Sequence, residues 1–418
     1  MQPFLKKTKS FLNQPISNRR GIAMITAIVA LSLMTYLAME VMYDTQVEFI
    51  VHSQQINRIK AYYAARSGVD ISLLRIKLYQ TIVGTLGKNL PTDGMIDQVW
   101  QFPFMWPLEL PKGTNAVDTD QINDTVKKSS MDSTFITTIT DEGSRIDIND
   151  LNSQSKTLKN ITKKQILNLF SNKMLSDEAF ARRYSGFRFE ELINNITDWM
   201  SNKSASLNGG DKKTYYKELT GSDDFPPNRS FRTLQELRLV KGMTDEFFDI
   251  LEKNVTIYGL KGINPNTASK EVLQAIDPGI TEEIVNEIKK RVSNPAEGGP
   301  FKNAEEFWQF LQARGARITV TQADVPIVTS GLFSFGISSI GNFGSSTREI
   351  NVIVMDLNQA ATRLNDLVKA DAKKDNPQAE ADAAADKTAG TPVAGPGSPS
   401  ATNPLPKGIP RIVYWTEK

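Results

Sequence analysis

The side chains that most often perform catalysis are scarce in this chain of 418 residues. There is no cysteine, which excludes a thiol nucleophile and a Cys-ligated metal, and the single histidine, His52, excludes a multi-histidine metal site. A Ser-His-Asp triad would have to use His52, which has only Glu48 nearby at helical spacing. Acidic pairs such as Asp147 and Asp150 lie in predicted turns without an identifiable base or phosphate loop. We therefore predict a protein that is not an enzyme and requires no cofactor.

Two segments are typical of a helix-hairpin-helix, a motif that can present bare backbone N–H groups to a DNA phosphate. One covers residues 263–281 and a degenerate copy covers 239–244. Thr281 and Thr244 replace the second hairpin glycine, and we expect each to cap the following helix and to occupy those donors. The acids that follow them make both helix starts negative. These acids are Glu282, Glu283, Asp245 and Glu246. Packing motifs are the preferred interpretation, with DNA binding as the alternative.

The overall composition is that of a folded chain with two or three domains. Hydrophobic residues make up 40%, charged residues 23%, and the mean hydropathy is −0.32. These values exclude a wholly disordered chain and a polytopic membrane protein. The net charge of +2 provides no global basic surplus for nucleic acid or anionic lipid. Basic residues are nevertheless concentrated in residues 1–20, which contain no acid.

An uncharged apolar run follows this basic leader at residues 21–39. As a helix it would be roughly 28 Å long, about the thickness of the hydrocarbon core of a bilayer. The positive-inside rule then places residues 1–20 in the cytoplasm and nearly all of the chain outside. A secretory signal peptide fits less well, because the apolar pattern continues without proline from residue 22 to residue 90.

This pattern predicts one continuous helix of roughly 55 residues, half in lipid and half in water. In its second half, apolar residues recur at spacings of three and four and form one stripe that needs a partner surface. We expect Val47, Ile50, Val51 and Ile59 to pack on partner helices.

The rest of the chain alternates between strand-like and helical patterns. Residues 133–140 and 145–149 alternate apolar and polar side chains around a turn and predict a hairpin. From about 160 to 325, short helical patterns separated by Pro, Gly and Asn predict an all-helical domain. Residues 331–340 and 348–356 predict a second hairpin.

The end of the chain is predicted to be a short helix, a disordered linker and a strand. Residues 360–407 are dominated by Ala, Asp, Lys, Pro, Gly and Ser. Residues 411–415, RIVYW, regain β character, which is plausible only if they return to the sheet already begun.

The order of these features resembles the type IV pilin and type II secretion pseudopilin class. The leader ends at Gly21, and Ile22 begins the apolar helix. Most members have a glutamate at the fifth mature position, where this chain has Thr26. Absence of that glutamate is typical of the minor pseudopilin K family of type II secretion. The segment RIDINDLN at 145–152, the helical insertion and the final strand are similar to that family as well.

The resemblance implies an α+β fold, in which a long amino-terminal helix packs on an antiparallel sheet and a large all-helical domain is inserted in the sheet. The implied domains are a leader at 1–21, a transmembrane helix at 22–42, the periplasmic part of the helix at 43–90, the first β part at 91–157, the helical domain at 158–325, the second β part at 326–359, a linker at 360–407 and a terminal strand at 408–418.

The resemblance also implies cleavage between Gly21 and Ile22 by a prepilin peptidase, with methylation of Ile22. The mature chain would remain in the bacterial inner membrane as a single-pass, largely periplasmic protein. The implied anchor residues are Ile22, Ile25, Thr26, Ile28, Val29, Leu31, Leu33 and Leu37.

The implied function is to cap the pseudopilus tip and help initiate its assembly, for export of folded proteins across the outer membrane. The implied partners are I- and J-type minor pseudopilins, the major pseudopilin, the inner-membrane assembly platform and secreted substrates. Nucleic acid is not expected. Two alternatives stay open, a DNA-binding or DNA-uptake protein on a pilin-like anchor and an unprocessed membrane scaffold.

One segment resembles a part of the family that is associated with calcium. Asp198 and Asp211 flank its Gly-rich loop and are the candidate ligands. Calcium takes six to eight oxygen ligands, whereas Lys212 and Lys213 place two positive charges beside Asp211. We prefer the interpretation that Asp198 bonds to a turn while Trp199 and two nearby tyrosines pack the helical domain.

Overall fold

The structure, a computed structural model, describes residues 19–86, 98–108, 124, 126–129, 131–221, 224–375 and 410–418. Most of the predicted leader and linker lies outside the described residues. The predicted α+β fold is confirmed: a long helix lies on an antiparallel sheet, and a helical domain is inserted between two central strands of that sheet. The exact domain boundaries stay predictions.

The first helix, α1, spans Arg19–Leu86, 68 residues. It contains no proline, and its glycines after Gly21 are Gly68 and Gly84. Little in its sequence therefore interrupts the backbone hydrogen bonds. The prediction of one continuous helix is confirmed, and the helix is longer than expected. A short helix, α2 (Gln98–Gln101), follows.

The main sheet has five antiparallel strands in the order β1-β2-β5-β6-β7. Its strands are β1 (Phe104–Trp106), β2 (Thr134–Asp141), β5 (Ser334–Phe343), β6 (Ser346–Met355) and β7 (Arg411–Glu417). β5 and β6 form the second predicted hairpin, and β7 returns to pair with β6; both predictions are confirmed.

The first predicted hairpin is wrong. β2 pairs with β1 and β5, whereas β3 (Ile146–Asp147) pairs in parallel with β4 (Val255–Thr256), inside the helical domain. Asp141 accepts from the Gly143 amide and starts a single 3-10 turn, which directs the chain away from β2. The apolar side chains after this turn are buried in the helical-domain core instead of returning to the sheet.

Small residues let α1 approach the sheet closely. Ala61, Ala64 and Ala65 are buried on the helix, and a Cβ added to Gly341 of β5 would overlap backbone atoms of Ala61 and Ala65. The Ser339 hydroxyl donates to the Ala65 carbonyl at 2.7 Å. Nearer the end of α1, larger side chains fill the interface, among them Ile76 and Tyr79.

The helical domain contains eight described helices around one large apolar core. They are α3 (Lys156–Ser176), α4 (Glu178–Tyr184), α5 (Phe189–Met200), α6 (Lys212–Thr220), α7 (Asp245–Asn254), α8 (Lys270–Ile276), α9 (Glu282–Ser293) and α10 (Ala304–Ala313). Polar residues with side chains that accept from the first helical turn start most of them, such as Ser155, Ser269 and Asn303.

A last helix, α11 (Leu357–Asp375), runs from the end of β6 to the helical domain. Its Asp371 accepts hydrogen bonds from the Ser155 hydroxyl at 2.6 Å and from the Thr157 amide at 3.2 Å, at the start of α3. The start of this helix agrees with the short helix predicted after residue 360. The contact ties the carboxyl-terminal helix to the domain inserted before it.

Candidate functional site

The amino-terminal half of α1 forms a long apolar surface that the rest of the described chain leaves uncovered. Among the described residues, one helix is long and apolar enough to cross a membrane, with a candidate span of Gly21–Val83. Its most apolar window has a mean hydropathy of 2.1 and is 0% buried. The predicted apolar anchor residues all lie exposed on this helix. They are Ile22, Ile25, Ile28, Val29, Leu31, Leu33 and Leu37.

Thr26 and Gly21 complete the predicted anchor and processing site. The Thr26 hydroxyl donates to the carbonyls of Ile22 and Ala23, at 3.1 and 2.9 Å, so its polarity is satisfied within the helix. A Cβ added to Gly21 would meet nothing within 4 Å. The fold itself therefore provides no packing reason for a glycine at this position.

The apolar stripe in the second half of α1 is divided between two faces of the helix. Val69 and Ile76 are fully buried against the sheet, whereas Ile59 and Leu74 are 55% and 66% exposed on the outward side. Because successive residues are about 100° apart, the side of α1 that faces the sheet continues towards the amino terminus through residues 47–51. There it is uncovered.

The four predicted partner residues therefore do not form one surface. Val47, Ile50 and Val51 extend the face that the sheet covers farther along, whereas Ile59 belongs to the outward face. The outward face also contains exposed Ile56, Tyr63, Leu74 and Leu78. Steps of three and four residues drift around the helix axis, so Ile59 lies about 120° from Val47. The sequence does not reveal which of these two sides the sheet occupies.

A buried ionic cluster joins the segment at residues 147–150 to Lys261, which follows β4. The Lys261 ammonium contacts Asp147 at 2.6 Å and Asp150 at 2.8 Å, and both carboxylates are almost fully buried. Burial raises the pKa of Asp150 to about 7, with Asp147 adding to the rise and Lys261 opposing it. Burial by itself lowers the pKa of Lys261, but the two carboxylates outweigh it and raise that pKa above its ordinary value.

A third buried carboxylate, Asp141, joins the end of β2 to the helical domain. Asp141 accepts from Asn264 Nδ2 at 2.7 Å and from Thr267 Oγ1 at 2.9 Å, and burial raises its pKa to about 6. The sequence predicts Asp147 and Asp150 in turns without an identifiable base or phosphate loop. Their partner Lys261 is more than 100 residues away along the chain, so no local pattern could have identified it.

The two calcium candidates are engaged in other bonds. The buried Asp198 carboxylate accepts from Ser206 Oγ at 2.7 Å and from the Leu207 amide at 2.9 Å. Asp211 accepts from the Lys213 amide at 3.0 Å and starts α6. Within the described ranges, no group of three or more His, Cys, Asp or Glu side chains could hold a metal ion. As they stand, these residues do not offer calcium a set of free oxygen ligands.

The Lys212 ammonium lies within this segment. It donates to the carbonyl oxygens of Asp198, at 3.0 Å, and of Ser201, and to Asn228 Oδ1 at 2.6 Å. Burial lowers the pKa of Lys212, an effect that the Asp198 carboxylate opposes. Nearby, Trp199 is buried and stacks on Phe231, with ring centroids 5.9 Å apart.

In the helix-hairpin-helix formed by α8 and α9, a carboxylate of the same chain accepts a hydrogen bond from a backbone N–H group of the hairpin. Asp277 accepts from the Gly279 amide at 2.7 Å and from the Thr319 and Val320 amides at 2.8 and 2.9 Å. A Cβ added to Gly279 would overlap the Arg317 carbonyl. The hairpin is thus packed against residues 317–320, and its glycine N–H is already occupied.

The expected threonine caps are found in one of the two copies. Thr244 accepts from the Phe247 amide at 3.2 Å and starts α7, as predicted. Thr281 makes no side-chain cap, so the prediction that it caps α9 is wrong. Its hydroxyl donates to the Glu283 carboxylate instead and lowers the pKa of that group. In both copies the acids remain at the helix start, where they oppose a phosphate.

Two family models match the chain, and both are described as type II secretion system (T2SS), protein K. One covers residues 144–260 and the other residues 263–329. Among solved structures, a chain of the GspK-GspI-GspJ complex from the enterotoxigenic Escherichia coli type 2 secretion system is similar, with 14% identity and a TM-score of 0.49. The similarity covers 74% of this chain and 95% of that one. No curated protein sequence matches at a significant level.

Proposed function

We propose, from the match of residues 144–260 and 263–329 to type II secretion protein K, that this chain is a non-enzymatic minor pseudopilin. The family matches confirm the resemblance found in the sequence and support a minor pseudopilin role. Its task would be to cap the pseudopilus tip and help initiate pseudopilus assembly, so that folded proteins are exported across the outer membrane.

The observation that supports this function best is the division of α1 into two halves. The first half is apolar and exposed, and the second half is packed on the sheet of the same chain. A helix of this kind anchors the subunit in a membrane and also presents an apolar surface to neighbouring helices. The basic leader favours a cytoplasmic amino terminus, with the sheet and the helical domain in the periplasm.

The size of the helical domain supports a position at the tip. The helical domain is inserted between β2 and β5, at one end of the sheet, and a body of eight described helices would obstruct subunits stacked above it. Thr26 is consistent with this position. A carboxylate in lipid is costly unless a neighbouring subunit supplies a partner, and a tip subunit has no neighbour above it.

Processing at Gly21 tests the pseudopilin assignment. We expect protein recovered from membranes to begin at methylated Ile22 when the prepilin peptidase is present, and at Met1 when the peptidase gene is deleted. Intact mass and amino-terminal sequencing measure both. The substitution Gly21→Val should block cleavage without disturbing the fold, because the added atoms have free space. An intact Met1 terminus in the presence of the peptidase would contradict the proposal and support the membrane scaffold.

A charge on the outward face of α1 should disrupt contact with partner helices. For Ile59→Glu we expect co-purification with the I- and J-type minor pseudopilins to fall by at least about tenfold, because the carboxylate would be buried in an apolar helix contact. The fold should be retained, since Ile59 is 55% exposed. Quantitative pull-down from detergent extracts measures the loss.

The matched control for this substitution is Leu175→Glu. Leu175 is 86% exposed on α3 of the helical domain, and the change replaces an apolar side chain with the same carboxylate away from α1. Co-purification should change little. Equal recovery with Ile59→Glu and the unmodified protein would exclude the outward face as a partner surface.

A further inference from the structure

We infer that the Lys212 ammonium is the resident cation of the segment between α5 and α7, so that this segment folds without a bound metal ion. The inference does not depend on the proposed function. It follows from the disagreement between the family resemblance, which implies calcium here, and the positions of the side chains.

The geometry around Lys212 satisfies an ammonium group completely. A lysine ammonium has three N–H donors and no acceptor. Three oxygens accept from it: the carbonyls of Asp198 and Ser201 and the side-chain oxygen of Asn228. Because Lys212 is only 6% exposed, water contributes little to its solvation.

These oxygens form an environment suited to a cation. Asp198 belongs to the last turn of α5, where the carbonyls carry the negative end of the helix dipole, and Ser201 follows the helix directly. The Asp198 carbonyl also accepts from the Ser201 amide, at 3.3 Å. Asn228 approaches from a distant loop with a positive φ of 54°, which asparagine tolerates better than most residues. One positive charge thus joins the end of α5, the start of α6 and the loop at residue 228.

The carboxylates that a metal ion would need as ligands accept hydrogen bonds from other groups of the chain. Asp198 directs its carboxylate to Ser206 and Leu207, and Asp211 directs its carboxylate to the start of α6. A calcium ion would have to displace Lys212 and break these bonds. The Lys212 ammonium instead holds the same parts of the chain together, and its three acceptors are all neutral oxygens.

The inference is tested first on the unmodified full chain in detergent. We expect metal analysis by mass spectrometry to find no stoichiometric calcium. We also expect the melting temperature to be the same with excess EDTA as with millimolar CaCl2, because a ligand that binds only the native state would raise it. One calcium per chain, with a melting temperature that falls on chelation, would overturn the inference.

A pair of neighbouring lysines provides the second test. Lys212→Met keeps most of the side-chain length but leaves three oxygens without their donor, so the melting temperature should fall by roughly 5 °C. Lys213→Met, the matched control, should leave it nearly unchanged. The melting temperature can be followed by near-UV circular dichroism, because that signal is sensitive to the packing of Trp199 against Phe231.

Equal stability of the two variants would overturn the role of the ammonium. If Lys212→Met does not fold at all, Asn228→Ala serves in its place, because it removes one of the three acceptors and leaves the charge. That variant should melt below the unmodified protein, and the calcium analysis of the unmodified chain does not depend on either variant.

Discussion

Replacing Lys261 with methionine is expected to lower the free energy of unfolding by about 3–5 kcal/mol at pH 8, because two buried carboxylates lose their counter-ion. Asp147 and Asp150 are 3% and 5% exposed in their side chains, and the lysine contacts them at 2.6 and 2.8 Å. Methionine preserves much of the packing but cannot neutralise the charge. Urea unfolding followed by circular dichroism measures the loss.

The loss should become smaller as the pH falls. The pKa of Asp150 is raised to about 7 in the folded chain, against about 4 for an unfolded aspartate, so the folded state binds a proton that the unfolded state releases. The stability that this proton contributes is fully present below about pH 4 and is lost as the pH rises towards 7. At pH 5 Asp150 is protonated and neutral, so in Lys261→Met only Asp147 remains as a buried charge without a counter-ion. The substitution should therefore lower the free energy of unfolding less at pH 5 than at pH 8.

The control is a lysine in an exposed ion pair. Lys290 contacts Glu297 at 2.8 Å, but 69% of its side chain is exposed, so Lys290→Met should cost less than about 1 kcal/mol at either pH. A loss for Lys261→Met that is no larger than this, or that is equal at pH 5 and pH 8, would show that the cluster is not held by its central lysine.

The substitution Gly341→Val is expected to separate α1 from the sheet and to lower the free energy of unfolding by about 3 kcal/mol. Any Cβ at this position would overlap backbone atoms of Ala61 and Ala65, and backbone atoms cannot move aside as a flexible side chain can. The Ser339 bond to the Ala65 carbonyl lies in the same interface and should be lost as well. Urea unfolding measures the stability, and limited proteolysis within α1 reports the detachment.

Gly186→Val is the matched control. A Cβ at Gly186 would meet nothing within 4 Å, so the same change of residue should have little effect there. If both variants unfold at the same urea concentration, close approach of helix and sheet at Gly341 does not limit the stability of the fold.

Elements with strong local patterns could be predicted from the sequence. The continuous helix, the β5–β6 hairpin and the returning strand β7 all agree with the structure. The hairpin predicted over residues 133–149 does not, because two strands with a turn between them pair only if their apolar faces enter the same core. Ile146 and Ile148 instead enter the core of the helical domain.

The candidate sites also differ in how far the sequence alone could predict them. The proposed apolar anchor could be predicted from composition, because the free energy of placing side chains in lipid depends on the residues and little on the fold. The partners of Lys261 and the outward face of α1 depend on residues that are distant in sequence, and the three oxygens around Lys212 come from residues beyond the span of one helix pattern. Close approach between such residues is set by packing, which local spacing does not encode.

The sequence by itself determined that this chain has one long apolar helix, two strand regions and a helical insertion. It also determined that the chain has no thiol and a single histidine, His52, with which to build a catalytic site. Periodicity and composition carry that information, because each reflects the environment of one segment at a time. Only the tertiary structure decided which face of α1 the sheet covers and which charges are buried together. Those outcomes depend on contacts between segments, where a few ångströms separate a buried ion pair from two solvated charges.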